Sequence, residues 1–210
     1  MSESGWWLTR QVLPPAECEA LVHELTSDHW PWHHKDSVGP DGGRTRDSVL
    51  DGYAVAERLP ILTGIYHGLT PFLRIPFARE VIPSPYPRSG VNVLDYPPGG
   101  TMEPHRDTNP VQAVLHLNDD YEGGRLVLNP DGGPQASVKL ATGELLVFPG
   151  RLVEHSVEEI VSGHRFVVTF NYYYPDDTWR PDWVDATIYD DTTAPVSWST
   201  VKDQTTNRAA

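Results

Sequence analysis

The 210-residue chain has a single cysteine, Cys18, so it cannot form an internal disulfide. No stretch approaches the ~20 consecutive apolar residues of a membrane-spanning helix, so no membrane protein is expected. The opening residues, MSESGWWLTRQVLPP, lack the basic and apolar segments of a signal peptide. With the lone cysteine, this leads us to expect a cytoplasmic protein. Basic residues are also scarce: 16 Lys and Arg stand against 29 Asp and Glu, for a net charge of −13. Such a chain repels phosphate backbones and anionic lipid, so neither nucleic acid nor a membrane surface is expected as a partner.

What the chain does have is turn chemistry. Its 20 prolines and 17 glycines suit short strands joined by turns better than a helical protein. PPAECEALVHEL (14–25) predicts a helix, with Pro15 in the first turn and Cys18, Leu21, Val22 and Leu25 at helical spacing. Residues 26–51 mix aromatics, histidines, glycines and cations without a period, and predict a long loop serving as a lid. The tract HWPWHH inside it reads as packed loop. A second helix is expected over 53–69, and SPYPRSG (84–90) as a Pro-rich loop. From residue 91 the texture changes. VNVLDY (91–96), VQAVLHLN (111–118), GRLVLNP (124–130), ASVKL (136–140), ELLVFP (144–149), LVEHSVEEI (152–160) and RFVVTFNYYY (165–174) read as strands separated by turn residues. Seven short strands at this spacing predict a mainly β fold, an antiparallel sandwich or jelly roll with supporting N-terminal helices. We expect one domain over 1–210: helical support and lid over about 1–90, core over about 91–175, and a polar, irregular tail over 176–210.

PHRDTN (104–109) carries the first chemical signal. On a strand, His105 and Asp107 would share a face. An isolated His-x-Asp is common in surface turns, but His155 lies fifty residues on, near a strand start after a Pro-Gly turn. Two histidines and one carboxylate make a facial triad that leaves metal positions open, a set suited to non-haem Fe(II). The imidazoles bind as neutral bases, so metal affinity should fall in acid. Arg165, ten residues beyond His155, opens the last strand. Its guanidinium could grip a carboxylate through two parallel hydrogen bonds, or be a strand-edge arginine. Alternation puts Arg165, Val167, Thr169 and Asn171 on one face of that strand, and Asn92 with Tyr96 on one face of VNVLDY. If Arg165 faces a pocket, Asn92 and Asn171 are candidate substrate contacts.

VNVLDYPPGGTMEPHRDTNP, HLNDDYEGGRLVL, TGELLVFPG and EHSVEEIVSGHRFVVTFNYYY resemble, in order and spacing, the Fe(II)- and 2-oxoglutarate-dependent oxygenases of the prolyl-4-hydroxylase-like group. The resemblance spans about residues 91–174, and QVLPPAECEALV is similar to that family's supporting helix. It implies a double-stranded β-helix, and His105, Asp107 and His155 as iron ligands. It also implies Arg165 as anchor of the distal 2-oxoglutarate carboxylate, and Tyr96 directed at the same co-substrate. His116 stands where relatives commonly carry tyrosine, and by that resemblance would donate to the distal carboxylate. The implied cofactors are Fe(II), 2-oxoglutarate and O2, with ascorbate as a reductant. The implied reaction is hydroxylation with release of succinate and CO2.

The substrate is expected to be a small molecule, such as a free amino acid, because the chain is nearly all core and short lids. Arg44, Arg46, Arg88 and Arg106 are candidates for a substrate carboxylate, and Trp30 and Trp32 for pocket walls. Other readings are a peptidyl (prolyl-type) hydroxylase, a cupin-like metal enzyme without 2-oxoglutarate, a degenerate binding module, and a hydrolytic zinc site. Arg165 has no role in the cupin-like case.

Overall fold

In a computed structural model, the structure describes residues 7–9, 11–27, 29–38 and 42–189. In chain order the first elements are β1 (Trp7–Thr9), α1 (Pro15–Leu25), β2 (His33–Val38), β3 (Arg44–Leu50), α2 (Gly52–Arg58), α3 (Pro60–Phe77) and β4 (Ile82–Pro83). Then follow β5 (Val91–Tyr96), β6 (Met102–His105), β7 (Val111–His116), β8 (Glu122–Gly123), β9 (Leu126–Pro130) and β10 (Ala136–Val138). The last are β11 (Leu145–Phe148), β12 (Val153–Val157), β13 (Ile160–Ser162), β14 (Arg165–Tyr173) and α4 (Val184–Tyr189).

The strands form a mainly antiparallel double sheet. The major sheet runs β1-β11-β7-β14-β5-β3-β2, with β4 against β14, and the minor sheet runs β10-β9-β12-β6. A two-stranded ladder, β13-β8, completes the set. The jelly-roll expectation therefore holds.

Two cores follow from strand alternation. On one face of the major sheet, Val93, Ala113, Leu115, Phe166, Val168 and Phe170 pack against Cys18, Leu21 and Leu25 of α1, and Leu62 and Tyr66 of α3. On the other, Leu94, Val114 and Val167 meet Leu128, Val153 and Val157 of the minor sheet. The major sheet is covered on both sides, and β7 is buried at every position.

Several elements depart from the sequence expectations. The 26–51 segment is not a loop: β2 pairs with β3, and β3 pairs Ser48, Val49 and Leu50 with Asp95, Leu94 and Val93. The hairpin adds two strands to the major sheet. Its outer strand has no alternating apolar face, because β2 is the sheet edge and buries little. The helix expected over 53–69 is two helices. The residue before a proline is pushed out of the helical region, and Leu59, before Pro60, sits at φ −123°, ψ 59°. Asp51 caps α2 by accepting from the Tyr53 and Ala54 amides. β6 is a strand that the sequence reading omitted. In the tail, α4 is ordered helix, and residues 190–210 lie outside the described part. No helix among the described residues is long and apolar enough to cross a membrane.

Candidate active site

The pairing of β6 with β12 sets His105 directly opposite His155. Asp107 lies two residues past His105, beyond the end of β6, so strand alternation does not position it. Its backbone amide instead donates to the Gly150 carbonyl at 3.0 Å. Gly150 is required by space: a Cβ there would stand 2.7 Å from Asp107 Oδ2 and 3.1 Å from Asp107 Cβ.

His105 Nε2 is 3.7 Å from Asp107 Oδ1, and His155 Nε2 is 3.6 Å from Asp107 Oδ2. One ligand atom from each residue falls within 4.8 Å of the others. Ligand atoms lie roughly 2.1 Å from a divalent transition ion, so neighbouring ones at right angles are roughly 3 Å apart. The observed triangle is slightly wider than that. Each histidine is oriented by a carbonyl two residues back. His105 Nδ1 bonds the Glu103 carbonyl at 2.8 Å, and His155 Nδ1 bonds the Val153 carbonyl at 3.0 Å. Nδ1 therefore carries the proton and Nε2 presents a lone pair.

Burial sets the protonation states. It lowers both imidazoles to about 4, with His155 adding to the effect on His105. It raises Asp107 to about 6 against the pull of His105. Near neutral pH the three offer two neutral imidazoles and a carboxylate. Asp107 Oδ2 is buried with no hydrogen-bond partner, a cost that a cation would relieve. This donor set fits a metal ion.

At the far end of the same cavity lies Arg165, 1% exposed and paired in register with Tyr96. Its guanidinium stands 5.0 Å from the Tyr96 ring centre. Arg165 Nη2 bonds His116 Nε2 at 3.2 Å, and His116 Nδ1 faces the Tyr121 hydroxyl at 3.3 Å. Burial, and then the Arg165 charge, pushes His116 well below its usual range, so it is neutral and accepts from the guanidinium. Arg165 Nε and Nη1, both buried, have no partner. Unpaired donors on a buried guanidinium call for an anionic acceptor. They fit the distal carboxylate of 2-oxoglutarate.

The cavity is about 150 Å³ and is lined by His105, Asp107, His155, Arg165 and Tyr96, and by Asn92, Thr169 and Asn171. Asn92, Leu94 and Tyr96 of β5 face it, as do the odd-numbered residues of β14. Asn92 Oδ1 accepts from the Tyr189 hydroxyl at 2.6 Å, and Asn171 Nδ2 donates to the Ser89 carbonyl.

Other candidates stand elsewhere. His116 is behind Arg165 and does not line the cavity. Arg44 pairs with Asp36, with Arg46 beside the same carboxylate, on the outer face of the hairpin. Arg106 bonds the Leu152 carbonyl and Asp131, and Arg88 bonds Asp51. Trp30 is buried in the helix-side core and donates to the Glu24 carbonyl. Trp32 packs against that core.

The sequence reading missed Tyr121, Asp47, Lys35, Arg180 and Tyr189. Tyr121 sits in the turn-rich NDDYEGG, which showed no strand period. Arg180 and α4 lie in the polar tail; Val184 and Ile188 of α4 line the cavity, and Arg180 bonds Ser89 and Asp185.

No curated protein sequence matches the chain. Residues 91–173 match the 2OG-Fe(II) oxygenase superfamily. Solved structures share the fold. A prolyl-4-hydroxylase from Pseudomonas putida is 20% identical over 81% of this chain and 93% of its own, with a TM-score of 0.55. HygX from Streptomyces hygroscopicus, solved with nickel and 2-oxoglutarate bound, is 15% identical over 89% and 90%, with a TM-score of 0.60. The alpha ketoglutarate dependent carbocyclase SnoK from nogalamycin biosynthesis is 16% identical over 88% and 85%, with a TM-score of 0.66. The matched segment carries the His-Asp-His cluster and Arg165, and the enzymes of the superfamily it resembles use Fe(II), 2-oxoglutarate and O2.

Proposed function

We propose that the protein hydroxylates a small metabolite, such as a free amino acid, with His105, Asp107 and His155 holding the iron and Arg165 holding 2-oxoglutarate. The observation that carries this reading is the pair of unpartnered donors on buried Arg165, facing the cavity that the three ligand residues also line. Bound Fe(II) with 2-oxoglutarate and O2 supplies the oxidising power, and succinate and CO2 are released. The chain's own residues bind and orient. Arg165 offers its unpartnered nitrogens to the distal carboxylate. His116 and Tyr121 keep the guanidinium in place, and Tyr96 covers its face. Leu94, Val114, Val157 and Val167 line the walls with apolar groups that limit water.

A small substrate is favoured because α4 closes the cavity, through Val184, Ile188 and the Tyr189–Asn92 hydrogen bond. The peptide reading has its own support, since neighbours of this fold include a prolyl hydroxylase in complex with a peptide fragment from Trichoplax adhaerens. A cytoplasmic location belongs to the proposal, and the buried free thiol of Cys18 suits a reducing compartment.

The test is succinate release from 2-oxoglutarate with Fe(II) and O2, screened across amino acids, small metabolites and prolyl peptides. Turnover stimulated by a small metabolite is expected. Stimulation by peptides alone would move the assignment to the peptidyl class. No binding of 2-oxoglutarate would reject the hydroxylase reading.

A further inference from the structure

Among the described residues, the buried side-chain atoms without a hydrogen-bond partner are few. They are two nitrogens of Arg165, Asp107 Oδ2, Asp47 Oδ1 and Thr63 Oγ1. Arg165 and Asp107 mark the co-substrate and metal positions. Asp47 lines the same cavity and belongs to neither. It lies outside the metal-sized cluster.

Asp47 is 3% exposed. Alternation along β3 turns Asp47 and Val49 into the cavity and leaves Arg44 and Arg46 outside. Lys35 is its register partner across the hairpin and lines the same cavity. Side chains so paired have Cβ atoms about 5 Å apart. One stretch of wall thus carries an acid and a base side by side. Arg180, the remaining cation of the substrate side, is already engaged by Ser89 and Asp185. A buried carboxylate oxygen without a donor is a standing cost, and burial, opposed by Lys35 and aided by Asp95, raises this carboxyl to about 7. 2-Oxoglutarate cannot relieve it, being doubly anionic. A hydroxyl is the weaker donor to a carboxylate; an ammonium group supplies a charge-assisted hydrogen bond.

Resting on the oxygenase reading of the cavity, we propose that Asp47 receives the ammonium group of the substrate. The substrate is a small zwitterion whose acid group faces Lys35, as in a free α-amino acid. The site discriminates against peptides, whose internal residues have no ammonium group at the backbone.

The test uses anaerobic protein loaded with Fe(II) and 2-oxoglutarate, titrated calorimetrically with the common L-amino acids and their N-acetyl derivatives. At least one free amino acid is expected to bind about tenfold or more tightly than its N-acetyl form. Asp47→Asn should abolish that preference, and Asp47→Glu should retain part of it. Affinity for 2-oxoglutarate should stay unchanged in both variants. Equal binding of the two forms overturns the proposal, as does binding by no free amino acid, or a preference that survives in Asp47→Asn. Failure of the wild type to bind 2-oxoglutarate overturns the oxygenase reading itself. Thermal denaturation without ligands gives a substrate-independent arm. Asp47→Asn should be as stable as the wild type or more so, because it replaces a buried carboxylate whose Oδ1 has no donor. A marked loss of stability would make Asp47 a structural partner of Lys35 and overturn its binding role.

Discussion

At the triad end of the cavity, each histidine is held by a carbonyl two residues back on its own strand. At the other end, Arg165 is held by a side-chain relay, His116 and then Tyr121, drawn from different segments. The triad end is built from local backbone and a tight Gly150 contact, so it is stiff and depends on few residues. The Arg165 end is built from side chains that reinforce one another, so its function should degrade in steps. Substitutions at the first end should abolish activity, and those at the second should weaken it.

The sharpest way to break the comparison is His155→Ala. It removes a proposed ligand and should bring succinate release to background, with metal content falling in parallel. Retained metal and turnover would contradict the triad. Next, Arg165→Ala should raise the 2-oxoglutarate requirement roughly 100-fold, since charge-assisted hydrogen bonds contribute about 1.5–3 kcal/mol each. The maximal rate should change less, as a split of KM from kcat would reveal. Gly150→Ala forces the Asp107 carboxylate aside and should weaken metal affinity about 10- to 100-fold, the range seen when ligand orientation is lost. His116→Phe, at the relay, should be milder, with a roughly tenfold higher 2-oxoglutarate requirement and unchanged metal affinity.

The triad also sets a pH dependence. Asp107 sits at about 6 and the two imidazoles at about 4. Metal binds the carboxylate and neutral imidazole forms, so affinity should be flat above about pH 7, fall as Asp107 takes a proton, and fall more steeply below about pH 4. Metal titrations across that range should give this two-stage loss. A single loss centred on the usual histidine range would contradict it.

How much of this was legible in the sequence follows physical lines. Strands β5, β7, β11 and β14 announce themselves because their apolar residues are buried on both faces and the turns around them carry Gly, Pro, Asn and Asp. The His105, Asp107 and His155 grouping was readable from residue type and order. The strand argument for Asp107 was not the operative reason, since the Gly150 contact positions it. The β2–β3 hairpin stayed hidden because an edge strand pairs through backbone atoms and needs no apolar period. Its exposed cations drew attention to Arg44 and Arg46, whereas the cavity takes their neighbour Asp47 on the opposite face. His116, expected to donate to the distal carboxylate, instead stands behind Arg165, off the cavity. Its partner is visible only in three dimensions, where the Arg165 guanidinium takes the Nε2 lone pair. The role of α4 was illegible because a short polar helix owes its place to the cavity it covers.

The central claim is that one cavity joins a metal triad to a carboxylate anchor. The most direct test is anaerobic calorimetry of Fe(II)-loaded protein with 2-oxoglutarate and with 2-oxobutyrate, which lacks the distal carboxylate. The wild type should prefer 2-oxoglutarate roughly 10- to 100-fold, and Arg165→Ala should bind both about equally. Equal affinity in the wild type, or a preference that survives in Arg165→Ala, would contradict the account.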